Sequence, residues 1–188
     1  MSQNSFLLRR FSHPWMPTAS FIPLGVFLVY LSLSVHLRPV LAVAAWIVAG
    51  IFAWTLVEYV LHRFIFHWTE VKEPWKTWAS GLHMAHHAST EQGDLIVAPP
   101  AVCLIFATFF YLLFALLAWS FSAAALIEAG LFLGFVAYEW VHYGSHRFLP
   151  ESRLGKYLRK YHLQHHHKCP DRQYGVTTPL WDHVFGTR

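Results

Sequence analysis

His83-Met84-Ala85-His86-His87 and His162-Leu163-Gln164-His165-His166 repeat one spacing, and each stands behind an earlier pair, His62-x4-His67 and His142-x3-His146. These four clusters take up all but four of the chain's fourteen histidines. Neutral imidazole is the commonest metal ligand in proteins, and no other role of histidine calls for so many copies in tight groups. On a helix, positions i, i+3 and i+4 put the first histidine of each H-x-x-H-H close to both others. His142 and His146 have the i, i+4 spacing of a helical two-ligand pair. His62 and His67 lie five residues apart, about 140° around an ideal helix, so either they serve different ions or the helix unwinds between them. Imidazole suits zinc, copper, iron and nickel alike. A closed structural zinc takes four ligands and usually includes thiolates, which these clusters lack. Ten imidazoles can give two ions about five donors each and leave positions open for oxygen species. That arrangement fits a redox-active di-iron centre, with zinc able to occupy the same donors in a purified sample.

The elements that position these histidines are apolar. The chain is 55% hydrophobic and 18% aromatic, with 13% charged residues, against about 25% in soluble domains. Such a chain cannot cover itself with polar surface in water. Four segments are expected to span a membrane, roughly 20–37, 40–67, 98–119 and 122–143, since a bilayer core takes about 20 apolar residues as helix. The first is marginal and the third clear, while the second is long enough to carry His62 and His67 past the hydrocarbon. Pro39 and Pro99-Pro100 suit helix starts, where a missing N–H costs little. Short turns at Arg38-Pro39 and Ser120-Phe121-Ser122 pair the segments as two hairpins. The histidine clusters then share one side with every Lys and Arg except Arg38. By the positive-inside tendency that side is the cytoplasm. The expected architecture is an all-α integral membrane protein of one domain, 1–188, with four transmembrane helices. A cytosolic helical cap, drawn from 68–97 and 144–188, holds the dinuclear site. The net charge of +4 comes with no basic stripe, so nucleic acid is not an expected partner. No cleavable signal peptide is evident.

The chain also repeats itself. Glu58-Tyr59-Val60-Leu61-His62 ends the first hairpin and Glu139-Trp140-Val141-His142 the second, each followed by H-x-x-H-H. Two halves with five histidines each suggest a pseudo-symmetric site, with one ion per half or ions shared between halves. Glu58 and Glu139 are the candidate catalytic groups beside the ligands. Their expected role is to accept the free ring N–H of a ligand histidine; direct ligation and plain solvation are the alternatives. Glu128 lies deeper, as a possible helix contact. His13, His36, His167 and His183 are read as non-ligands. Cys103 and Cys169 fall in different settings and are expected as free thiols. Trp75, Trp78 and Trp181 suit either a headgroup belt or an acyl-chain entrance.

Glu58-Tyr59-Val60-Leu61-His62-Arg63-Phe64-Ile65-Phe66-His67 and Leu82-His83-Met84-Ala85-His86-His87 resemble the integral-membrane fatty acid hydroxylase superfamily, and within it the fatty acid 2-hydroxylases that act on sphingolipid acyl chains. The second half agrees through Tyr138 to His146 and Lys160 to His166, as does the tail from Tyr174 to Thr187. The likeness covers most of 40–188. It implies a dinuclear metal site on His62, His67, His83, His86, His87, His142, His146, His162, His165 and His166, and O2-dependent hydroxylation of a lipid acyl chain at position 2. Eukaryotic members of that group carry a cytochrome b5 domain, for which this chain has no room. Electrons are therefore expected from a separate cytochrome b5-like or ferredoxin-like carrier docking on the basic face. Leu95 stands where the family often has Arg, which bears on the substrate headgroup.

Related histidine patterns also serve sterol, carotenoid and desaturase chemistry, so those substrates stand as the alternative. A non-catalytic metal-binding or transport protein is the remaining reading. Transport would place ligands near the bilayer midplane along a path, whereas these lie at one face.

Overall fold

The computed structural model describes residues 15–67, 78–90, 97 and 100–188. His13, Trp75, Leu95 and Pro99 lie outside the described residues, as does the side chain of Trp78. The described elements are helical: α1 (Trp15–Val35), α2 (Val40–Val60) continuing as a π-helix (Leu61–Phe66), α3 (Trp78–Ala88), α4 (Pro100–Leu117), α5 (Phe121–Arg147), α6 (Arg153–His167) and α7 (Leu180–Val184). They fall into two compact units. One comprises Met1–His13, Thr55–Val97 and Tyr138–Arg188; the other comprises Pro14–Trp54 and Ala98–Ala137.

The second unit is apolar helix on apolar helix. Three described helices are long and apolar enough to cross a membrane: Trp15–Val35, Val40–Phe66 and Phe121–Arg147. The expected third span is shorter, with Cys103–Leu117 as its described apolar stretch. Helix starts follow local chemistry. Pro39 has no N–H to leave orphaned, and its carbonyl accepts from Ala42 and Val43. The Ser120 hydroxyl accepts from the Ala123 N–H at 3.2 Å and caps α5.

Burial differs sharply among these helices. The spanning window of α5 is 83% buried, against 17% for α1 and 11% for α2. α5 is therefore the central helix, and Val26, Tyr30 and Val48 on α1 and α2 stay exposed as a lipid-facing surface would. Close approach at the centre depends on glycine. A Cβ on Gly50 would lie 1.9 Å from the Ile127 carbonyl oxygen, and one on Gly130 2.0 Å from that of Ile47. Small residues at such crossings let backbones pack directly, which drives helix association where water gives no help. Ser32 and Ser122 bond to each other, and each hydroxyl also reaches the other's carbonyl. Phe21 packs on Phe132 and Phe135 with ring centroids 5.1 Å apart. Glu128 is buried in α5, and neither oxygen has a hydrogen-bond partner among the described residues.

The first unit carries the histidines. α6 starts where the Ser152 hydroxyl accepts from the Gly155 N–H. It buries Leu158, Tyr161, His162, His165 and His166 along one face. Beyond it the tail turns through residues 169–179 into α7 and ends against α2. Trp181 donates to the Thr55 hydroxyl at 2.9 Å, and Phe185 stacks on Tyr59.

Candidate metal centre

Four helical segments deliver the imidazoles. The end of α2 supplies His62 and His67, α3 supplies His83, His86 and His87, the end of α5 supplies His142 and His146, and α6 supplies the rest. The awkward five-residue gap is resolved by the backbone. Over Leu61–Phe66 the helix widens to π, and the His67 N–H donates to the His62 carbonyl at 3.1 Å. Bonds from i to i+5 bring residues five apart back to the same side. His62 and His67 consequently face one another, with ring centroids 5.0 Å apart.

The ten histidines form two groups of five that could each hold a metal ion. One is His62, His67, His83, His87 and His165; the other is His86, His142, His146, His162 and His166. Five and five matches the count expected from the repeat, but the division does not follow the halves of the chain. Each group takes four donors from one half and one from the other. The exchanged residues are equivalent: the middle histidine of each H-x-x-H-H, His86 and His165, crosses to the opposite group. Within each motif the i, i+4 pair stays together.

Ring nitrogens converge in both groups. In the first, Nε2 of His83 lies 3.1 Å from that of His62 and 3.0 Å from those of His67 and His87. His165 Nε2 lies 3.0 Å from His67 Nε2. In the second, His142 Nε2 is 3.1 Å from His86 Nε2, and His162 Nε2 is 2.9 Å and 3.0 Å from those of His146 and His166. Ordinary hydrogen bonding cannot account for such crowding, because a neutral imidazole has one N–H and one lone pair. His62 Nδ1 lies 2.5 Å from the Tyr174 carbonyl oxygen and His165 Nδ1 2.5 Å from that of Arg172. A carbonyl only accepts, so both Nδ1 atoms carry the proton and both Nε2 lone pairs point inward. Lone pairs packed this closely call for a cation among them. Nitrogens about 2.0–2.1 Å from a common ion and 3 Å from each other subtend about 90°, an angle of five- or six-coordination rather than of a tetrahedron.

Electrostatics agree with neutral donors. Burial, and then the neighbouring imidazoles, pulls His67, His86 and His87 down to about 3. His83 and His162 are held well below the ordinary value, first by desolvation and then by adjacent rings. Burial also lowers His165 and His166. A ring that stays neutral keeps a lone pair for a metal. His36, His167 and His183 are exposed and belong to neither group. Cys103 and Cys169 form no disulfide among the described residues.

Glu58 and Glu139 are both buried beside the clusters. Glu58 accepts from the Val176 N–H at 2.5 Å, the Thr177 N–H at 2.8 Å and the Thr177 hydroxyl at 2.5 Å. It thus holds the tail. The ring N–H of His62 and that of His165 go to backbone carbonyls. Arg172 and Tyr174 were missed as functional positions because a main-chain acceptor leaves no mark on residue type. The one available signal was the tail's likeness to a known family.

The fatty acid hydroxylase family model matches residues 47–187. A dihydroceramide fatty acyl 2-hydroxylase of Arabidopsis thaliana is 41% identical over 139 residues, 73% of this chain and 58% of that protein. A ceramide very long chain fatty acid hydroxylase of Saccharomyces cerevisiae is 36% identical over 182 residues, 92% of this chain and 45% of that one. A solved structure of full-length scs7p, in which only the hydroxylase domain is visible, aligns with a TM-score of 0.84 at 33% identity. That alignment covers 94% of this chain and 66% of the other. The chain spans about half the length of the curated relatives it matches.

Proposed function

Because the chain belongs to the fatty acid hydroxylase family, we propose that it hydroxylates a lipid acyl chain at position 2, free or in a sphingolipid, with two iron ions and O2. The paired groups of five converging imidazoles carry this reading. His62, His67, His83, His87 and His165 would hold one ion, and His86, His142, His146, His162 and His166 the other. The near-90° spacing of their nitrogens favours five- or six-coordinate iron over a tetrahedral ion. Zinc would still compete for the same donors in a purified sample. When bound, iron supplies the activation of O2 and the attack on an unactivated C–H bond.

The chain's own residues hold the donors neutral, orient them and keep water out. His62, His86 and His162 are each 1% exposed and His165 is 0% exposed. Hydroxylation converts R–H and O2, with two electrons and two protons, into R–OH and water. The two electrons would be delivered by a carrier of cytochrome b5 or ferredoxin type, for which the basic cytosolic face offers a docking surface. The chain would act as one hydroxylase domain in the membrane, with four spans in two hairpins and residues 68–97 and 144–188 as a cytosolic cap. The placement of every Lys and Arg but Arg38 supports that orientation.

Expression with an electron donor in a lipid-producing host tests the reaction. Lipid mass spectrometry should show acyl chains gaining one oxygen at position 2, and a His86→Ala control should show no gain. Loss of two hydrogens instead would reassign the chain to desaturation. Bound metal with unchanged lipids would leave only the binding reading.

A further inference from the structure

The segment after α6 supplies none of the ten imidazoles. It runs close beneath the first imidazole group and is tied down at several points. Arg172 and Tyr174 aim their carbonyls at His165 and His62, both members of that group. Gln173 between them takes a left-handed backbone, φ 59°, which an L-residue adopts only when its surroundings enforce it. Asp182, 0% exposed, enforces it. Its Oδ1 accepts from the Tyr174 N–H at 2.9 Å and its Oδ2 from the Gly175 N–H at 2.8 Å. The Gln173 N–H donates to the Thr187 carbonyl at 2.7 Å.

A directed chain runs from α2 into this turn. An Arg63 N–H can only donate, so it donates to the Tyr59 oxygen at 2.7 Å. Tyr59 lies 2.9 Å from the Thr187 hydroxyl, and Thr187 donates to Asp182 Oδ1 at 2.8 Å. Glu58 grips the next two residues, Val176 and Thr177. Close packing seals the turn: a Cβ on Gly175 would lie 2.1 Å from the Thr178 carbonyl oxygen.

Three rings of the second group differ from His62 and His165. Nδ1 of His86, His162 and His166 finds no hydrogen-bond partner among the described residues. An acceptor behind a ligand imidazole fixes its tautomer and raises its basicity, and losing one costs about 10- to 100-fold in metal affinity. We propose that the 172–188 tail makes the two metal sites unequal, with Asp182 and Glu58 as positioning residues that act on the first group alone through the Arg172 and Tyr174 carbonyls. This rests on the two-metal reading above.

The test uses the full chain in detergent, loaded with cobalt(II) and challenged with a chelator, with metal counted per chain. Two ions per chain, leaving in two phases, are expected, the slower by about 10-fold or more. His87→Ala should abolish the slow phase and His166→Ala the fast one, which identifies them. Asp182→Asn should speed the slow phase by about 10-fold or more and leave the fast phase in place. Glu58→Gln, a gentler change, should do the same to a smaller degree. Failure to bind two ions at all would defeat the two-metal reading itself. Two ions leaving the wild type in a single phase would overturn the inequality and spare that reading. A tail variant that speeds both phases alike, or the fast one alone, would show general loosening and overturn the positioning role.

Discussion

The two imidazole groups are alike in number and ring type and differ in what stands behind the rings. Two rings of the first are backed by main-chain carbonyls on a locked turn; at three of the five rings of the second, the outer nitrogen meets no described acceptor. A repeated sequence can therefore duplicate the donors without duplicating the surroundings that set their strength. The symmetry of the groups is one of ligands, and the asymmetry comes from a tail that occurs once.

The largest test of that pairing is the exchange of the middle histidines. His86 belongs by sequence to the first half and by structure to the second group. His86→Ala should cost the chain the same ion as His162→Ala, and His165→Ala the same ion as His83→Ala, with activity lost in each case. Metal counts on the four variants decide it. Losses that follow the halves of the sequence would undo the crossing.

Acid probes what the groups have in common. His67 and His87 of the first and His86 of the second are pulled from 6.5 down to about 3 by burial. Between those values the unfolded chain binds more protons than the folded one, so stability must fall as pH falls and level off above 6.5. The thermal midpoint of the metal-free protein should drop steadily from pH 7 to pH 5. A midpoint independent of pH would contradict neutral, buried rings in both groups.

The smallest effect concerns the turn itself. Gln173→Gly removes a left-handed cost of about 1 kcal/mol and adds a similar unfolded-state entropy. Stability should stay within about 0.5 kcal/mol, with the slow metal phase intact. Gln173→Val, whose branched side chain resists that backbone, should lower the thermal midpoint and speed the slow phase.

The ten histidines that gather into the two groups were legible in the sequence as candidates, because residue type and helical spacing are local properties. The crossing was not. In H-x-x-H-H the first histidine is equally a neighbour of the second and the third, and only tertiary packing chooses between them. The gap between His62 and His67 announced that something had to yield, and the π-turn is what yielded. The central place of α5 was also hidden, since apolar content says a helix can meet lipid or protein without saying which. Glu58 stood out in the sequence for its place beside His62, but its bonds to Val176 and Thr177 join residues 118 and 119 positions away, which local spacing does not announce.

The exchanged histidines also bear on when the protein becomes able to hold metal. A ribosome that has released His87 has delivered four donors of the first group and one of the second. Neither set closes until α6 has emerged: the first waits for His165, the second for His162 and His166. The turn that backs the first group comes later still. On the proposed ligand set, metal loading is an event of the finished chain, and a product truncated within α6 is a metal-poor membrane protein rather than half an enzyme.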